Sequence, residues 1–132
     1  MPRSGDLRRE ALRVIAIAIG GAEKGVTQVY ETAFRPPEKR YRPWVERCHA
    51  QTHAALAELE RLCQVRGEDW LIGTRLTQAD ITVTCVYTFL SDALGLNRDA
   101  VVYPALSAVA TRCEALPEFR SVKADWFAPG GA

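Results

Sequence analysis

Trp70-Leu71-Ile72-Gly73-Thr74-Arg75-Leu76-Thr77-Gln78-Ala79-Asp80-Ile81, followed by an apolar run to Leu90, spells out the start of a helix. Thr77 is a suitable N-cap, because its hydroxyl can accept from the backbone N–H of Asp80. Asp80, three residues on, can accept in return from the N–H of Thr77, the reciprocal arrangement of a capping box. Leu76 before the cap and Ile81 after it are spaced to close as a hydrophobic staple. The helix then carries Ile81, Val83, Cys85, Val86, Tyr87, Phe89 and Leu90, apolar on nearly every side. Such a helix must be enclosed by other helices or lie in a membrane.

Working outward, a long helix is expected from about Asp6 to Phe34. Leu7, Ala11, Leu12, Ile15, Ile19, Ala22, Val26, Val29, Tyr30, Ala33 and Phe34 are its apolar members. Gly20-Gly21 and Gly25 weaken it in the middle, at about 1 kcal/mol each against Ala, and admit a bend. Pro36-Pro37 ends it. A second helix starts near Pro43 and carries Val45, Cys48, Thr52, Ala55, Leu56, Leu59, Leu62 and Cys63 at helical period, with Gly67 able to stop it. The capped central helix stops near Gly95. A fourth runs from Pro104 to Leu116, Pro117 interrupts it, and Glu118–Val122 adds a short turn. Val101 and Val102 are too isolated for a sheet, so the fold class is all-α.

At 132 residues this is a single domain, 1–132, long enough to bury a core. A net charge of +1 gives no global field towards nucleic acid or an anionic membrane. The stretches Val14–Ile19 and Val83–Tyr87 are too short or too polar to span a bilayer. Arg3, Asp6, Arg8, Arg9 and Glu10 interrupt any signal-peptide core. A soluble, cytoplasmic protein with no nucleic-acid or membrane partner is expected. Cys48, Cys63, Cys85 and Cys113 have no paired spacing, and Cys48, Cys85 and Cys113 fall on apolar faces as small core residues.

His49 and His53, at i and i+4, could share a metal. Ala50, Gln51 and Thr52 supply no metalloprotease glutamate, and Cys48 points about 100° away, so the pair reads as solvent-flank or interface histidines with no metal. Arg35, Lys39, Arg40, Arg42 and Arg47 cluster around the Pro36-Pro37 turn. Part of that charge suits the end of a helix, where cations offset the dipole, and an anion site is the other reading.

The Trp-Leu-x-Gly segment and the Leu-Thr-x-Ala-Asp-Ile cap together resemble the start of the central helix in the C-terminal domain of the bacterial-type, cytosolic glutathione S-transferase family. The likeness is close over residues 70–90 and holds in helix order from Asp6 to about Phe127. It implies a helical bundle with a buried central helix that binds a hydrophobic electrophile for glutathione conjugation. It also implies that the glutathione-activating, thioredoxin-like N-terminal domain is absent from this chain. On that reading glutathione is the co-substrate of a full-length parent, which is a homodimer. The chain alone holds no cofactor and no catalytic residue, and is inactive. Gly21 and Gly25 would leave room for substrate, Gln28 would supply a polar handle, and Tyr30 and Trp126 would line the pocket. Tyr30 and Phe34 are equally readable as core or dimer contacts, and Trp126 and Phe127 as a clasp for the bundle. Thr77 and Asp80 serve folding. The alternative is a non-catalytic protein-interaction or assembly module of the same fold.

Overall fold

The computed structural model describes residues 1–66, 70–98 and 102–130, and these are helical with no strand. Helix α1 spans Gly5–Phe34, and a 3₁₀ turn at Pro37–Lys39 leads to α2, Arg42–Arg66. Helix α3 spans Gln78–Leu94, α4 Pro104–Glu114 and α5 Pro117–Val122. Gly67 and Val101 lie outside the described residues. Helix α1 packs on α2 and α3, α4 closes against α2 and α3, and α5 follows from α4. The core is built from Ala11, Val14 and Ala18 of α1, Leu56 and Leu59 of α2, Val83, Tyr87 and Leu90 of α3, and Leu106 and Val109 of α4.

Helix α1 buries a different stripe from the one its large apolar residues mark. Its inward residues are Ala11, Val14, Ala18, Gly21, Gly25, Gln28 and Glu31, whereas Leu7, Leu12, Ile19, Tyr30 and Phe34 are exposed. Small residues face in because two helices press closely on α1. A Cβ on Gly25 would fall well inside van der Waals contact distance of Leu90 Cδ2, and one on Gly21 would meet Ala55 Cβ at 2.9 Å. The helix runs unbroken through all three glycines.

The start of α3 is held at several points. The Asp80 carboxylate accepts from the Thr77 backbone N–H at 2.8 Å and from the Thr77 hydroxyl at 3.0 Å, and both halves of the capping box are present. The same fully buried carboxylate accepts from the Leu71 N–H at 2.8 Å, tying the preceding turn to the helix. At the other end Gly95 takes φ 65°, a left-handed conformation that glycine adopts without a Cβ penalty. The Leu96 N–H then donates back to the Ser91 carbonyl at 2.9 Å.

Two expectations about α3 are corrected. Cys85 is exposed rather than core, and the helix is not covered all round. Ala79, Asp80, Val83, Thr84, Tyr87, Leu90 and Ser91 are buried, while the Cys85–Phe89 side faces an open cleft under α5 and the C-terminal tail. Helix α4 is capped from outside its own segment. Tyr103 supplies no side-chain cap, and the buried Glu60 of α2 accepts from the N–H groups of Ala105 at 3.0 Å and Leu106 at 2.7 Å. These are orphan donors of a first turn, and a carboxylate there also suits the positive end of the helix dipole.

Candidate functional site

Beyond α5 the chain runs as an irregular tail back along α1 and α3. Trp126 anchors it, its ring edge-on to Phe89 with centroids 5.5 Å apart. Edge-to-face pairing of this kind adds about 0.5–1.5 kcal/mol to the area it buries. On one side of Trp126 lies a cleft of ≈ 310 Å³ walled by Val26, Val29, Tyr30, Phe89, Phe127 and Pro129, with Asp125 at its edge. An adjoining cleft of ≈ 570 Å³ shares Val29, Trp126 and Pro129 and reaches Gln28, Thr32 and Leu94. The two form one groove between the last third of α1, α3 and the tail. Tyr30, Trp126 and Phe127 contribute aromatic rings to its lining, and Phe127 is 82% exposed. Tyr30 and Phe34 pack edge-on at 5.4 Å.

Of the residues singled out in the sequence, Tyr30 and Trp126 meet on the smaller cleft and Gln28 lies on the larger one. The Gln28 amide N–H groups are already engaged, donating to Thr52 Oγ1 at 2.9 Å and to the Lys24 carbonyl at 3.2 Å. Gly21 and Gly25 line neither part, being buried against α2 and α3. Phe89 and Val29 are further wall residues, marked in the sequence only as apolar helix positions. Their only signal was apolar periodicity, which does not separate a packed face from a lined one.

On the far side of Trp126 a cleft of ≈ 350 Å³ holds Cys85, Thr88, Glu114, Phe119 and Lys123. Burial works against the Glu114 carboxylate. Hydrogen bonds from Arg98 and Thr88, with the charges of Arg98 and Lys123, outweigh that and hold its pKa below the ordinary value. Cys85 in this cleft and Cys63 in the core are poor nucleophiles. Burial pushes Cys63 up to about 12, and burial with the charge of Glu114 raises Cys85.

Elsewhere, Arg40 caps the end of α1, its guanidinium donating to the carbonyls of Thr32 at 2.7 Å and Arg35 at 3.0 Å. Arg42 pairs with Glu46 and Arg35 with Glu31, so the basic cluster is largely engaged locally. His53 Nδ1 lies 3.0 Å from the Tyr103 hydroxyl. Burial, with the neighbouring His49, lowers the His53 pKa. Among the described residues no helix is long and apolar enough to cross a membrane.

The family described as glutathione S-transferase, C-terminal domain, matches residues 42–127. A glutathione S-transferase from Methylobacterium radiotolerans, solved with glutathione sulfonate, is 28% identical with a TM-score of 0.83, over 92% of this chain and 56% of its own. A glutathione transferase family member from Pseudomonas fluorescens, solved with glutathione, is 25% identical with a TM-score of 0.79, over 93% of this chain and 58% of its own. A glutathione S-transferase from Methylobacillus flagellatus with glutathione bound shares the fold, at 19% identity and a TM-score of 0.83, over 91% of this chain and 58% of its own. The chain thus spans a little over half the length of these solved relatives. No curated protein matches it.

Proposed function

The chain belongs to the glutathione S-transferase C-terminal domain family, and from that premise we propose that it is the electrophile-binding half of a glutathione-conjugating enzyme. The observation that carries this reading is the groove at Trp126, where Val26, Val29, Tyr30 and Phe89 wall an opening of ≈ 310 Å³. That size lies in the range of small-molecule sites, and walls with few polar atoms select an apolar, aromatic electrophile. Tyr30 and Trp126 stack against the substrate, Gln28 closes the inner end, and Gly21 and Gly25 set how closely α2 and α3 approach the wall.

Conjugation forms a bond from the glutathione sulfur to an electrophilic carbon and expels its leaving group. This chain's share of that work is to hold the carbon and keep water away from it. The raised pKa values of Cys63 and Cys85 make those two thiols ill suited to the attack. Activation of the glutathione thiol falls to a thioredoxin-like N-terminal domain, a reading supported by relatives solved with glutathione or glutathione sulfonate, of which this chain covers only 56–58%. We place the parent in the cytoplasm as a homodimer, in which the exposed Leu12 and Ile19 of α1 would be covered. The same exposed stripe favours the second reading, a non-catalytic assembly module.

The test is to isolate the native polypeptide from source cells with an antibody to this chain and assay it with glutathione and an aryl halide. A mass well above 14.6 kDa with conjugating activity is expected. Tyr30→Ala and Trp126→Ala should each raise the KM for the aryl halide about tenfold and leave that for glutathione unchanged. A 14.6 kDa polypeptide with no conjugating activity would overturn the enzyme and leave the assembly module.

A further inference from the structure

His49 and His53 occupy one face of α2 a single turn apart, and their rings lie close, with centroids 4.4 Å apart and planes tilted by 52°. The spacing leaves the two imidazoles close enough to share one ion. With a metal–nitrogen distance of about 2.1 Å, rings bound at a right angle have centroids about 4.5 Å apart, and rings bound tetrahedrally about 5.2 Å. The observed separation fits the right-angled arrangement.

Tyr103 adds what the sequence spacing alone did not contain. Its hydroxyl sits 3.0 Å from His53 Nδ1, reaching across from the start of α4. Nδ1 is thereby occupied, and Nε2 is the nitrogen left to bind a ligand. When Nε2 gives its lone pair to a metal, the ring proton resides on Nδ1 and donates to the Tyr103 oxygen. Metal-bound histidines are held by this kind of outer hydrogen bond, which fixes both tautomer and ring orientation.

We propose that His49 and His53 form a chelating pair for a late first-row divalent metal, Cu²⁺ or Ni²⁺, with Tyr103 as positioning residue for His53. Among the described residues no group of three or more His, Cys, Asp or Glu side chains is placed to hold a metal, so the proposed site is a two-histidine chelate whose other ligands would come from solvent. Two adjacent nitrogen ligands at a right angle suit the tetragonal preference of these ions over the tetrahedral preference of Zn²⁺. Binding would brace one turn of α2 and, through Tyr103, the start of α4.

The test is calorimetric titration of NiCl₂ into the 132-residue chain at neutral pH, with melting curves taken with and without the metal. One equivalent of Ni²⁺ is expected to bind and raise the Tm. His49→Ala should weaken binding by about tenfold or more, and Tyr103→Phe by about tenfold. His49 is exposed, so its variant should keep the metal-free Tm and separates lost chelation from lost folding. Absence of saturable Ni²⁺ binding would overturn the proposal. So would His49→Ala binding as tightly as wild type, or loss of binding in Cys85→Ser instead. A Tyr103→Phe variant with unchanged affinity would remove the positioning role.

Discussion

Asp80 is 0% exposed, yet its carboxylate has three donors from the chain: the Leu71 N–H, the Thr77 N–H and the Thr77 hydroxyl. Asp80→Ala leaves two backbone N–H groups without an acceptor in the interior, so a loss of about 2–4 kcal/mol is expected by denaturant unfolding. An unchanged midpoint would remove the cap from this account. The bond between Thr77 and Asp80 is legible in the sequence because it spans three residues. The bond to Leu71 is not, since its geometry depends on how residues 71–76 turn. Glu60 is less legible still, because the N–H groups it caps are 45 and 46 residues away. Glu114 yields a pH prediction. Its folded pKa lies below the ordinary 4.5, so its contribution to stability is fully present above that value. That contribution is lost as pH falls through the lower folded pKa. Glu114→Gln should therefore flatten the fall of Tm below pH 4.5 and leave other regions of the curve parallel. An acid limb identical to wild type would contradict the pairing with Arg98 and Thr88.

The helices themselves were legible as elements, since caps, prolines and apolar period mark where α1, α2, α3 and α4 begin and end. What the pattern did not give for α1 is which face turns inward. Leu7, Leu12, Ile19, Tyr30 and Phe34 carry the hydrophobicity, but the contact with α2 and α3 is made by Ala11, Ala18, Gly21 and Gly25. Close helix contact selects for small side chains, and periodicity weighted by hydrophobicity is blind to that. Cys85 illustrates the converse, an apolar position that opens on a cleft. Gly25 supplies the test at this scale. Gly25→Ala drives a methyl into the fully buried Leu90, and overpacking of this kind costs about 1–3 kcal/mol, against a gain of about 1 kcal/mol from helix propensity. Thermal unfolding should show a net loss of stability. A Tm above wild type would mean that α1 and α3 are not in the contact described. Gly20, where a Cβ meets nothing within 4 Å, is the control, and Gly20→Ala should raise the Tm.

At the scale of the whole molecule, a groove opens where the tail returns over α1 and α3, and aromatic rings distant in sequence collect there. Tyr30 and Trp126 are 96 positions apart in sequence. Their meeting follows only from the path of the tail after α5, which no local pattern encodes. Phe89 packs against the core and also walls the groove, because α5 and the tail lie over that side of α3. The bundle thus supplies a rigid wall on α1 and α3, and the tail supplies the aromatic cover. The central claim is that this groove receives an apolar aromatic molecule. The direct measurement is a ¹H–¹⁵N spectrum of the chain titrated with an unreactive nitroarene. Saturable shifts confined to the amides of Val26, Val29 and Tyr30 and to the Trp126 indole N–H are predicted, and should be abolished in Trp126→Ala. A spectrum that does not move, or shifts centred on Thr88, Phe119 and Lys123 instead, would contradict it.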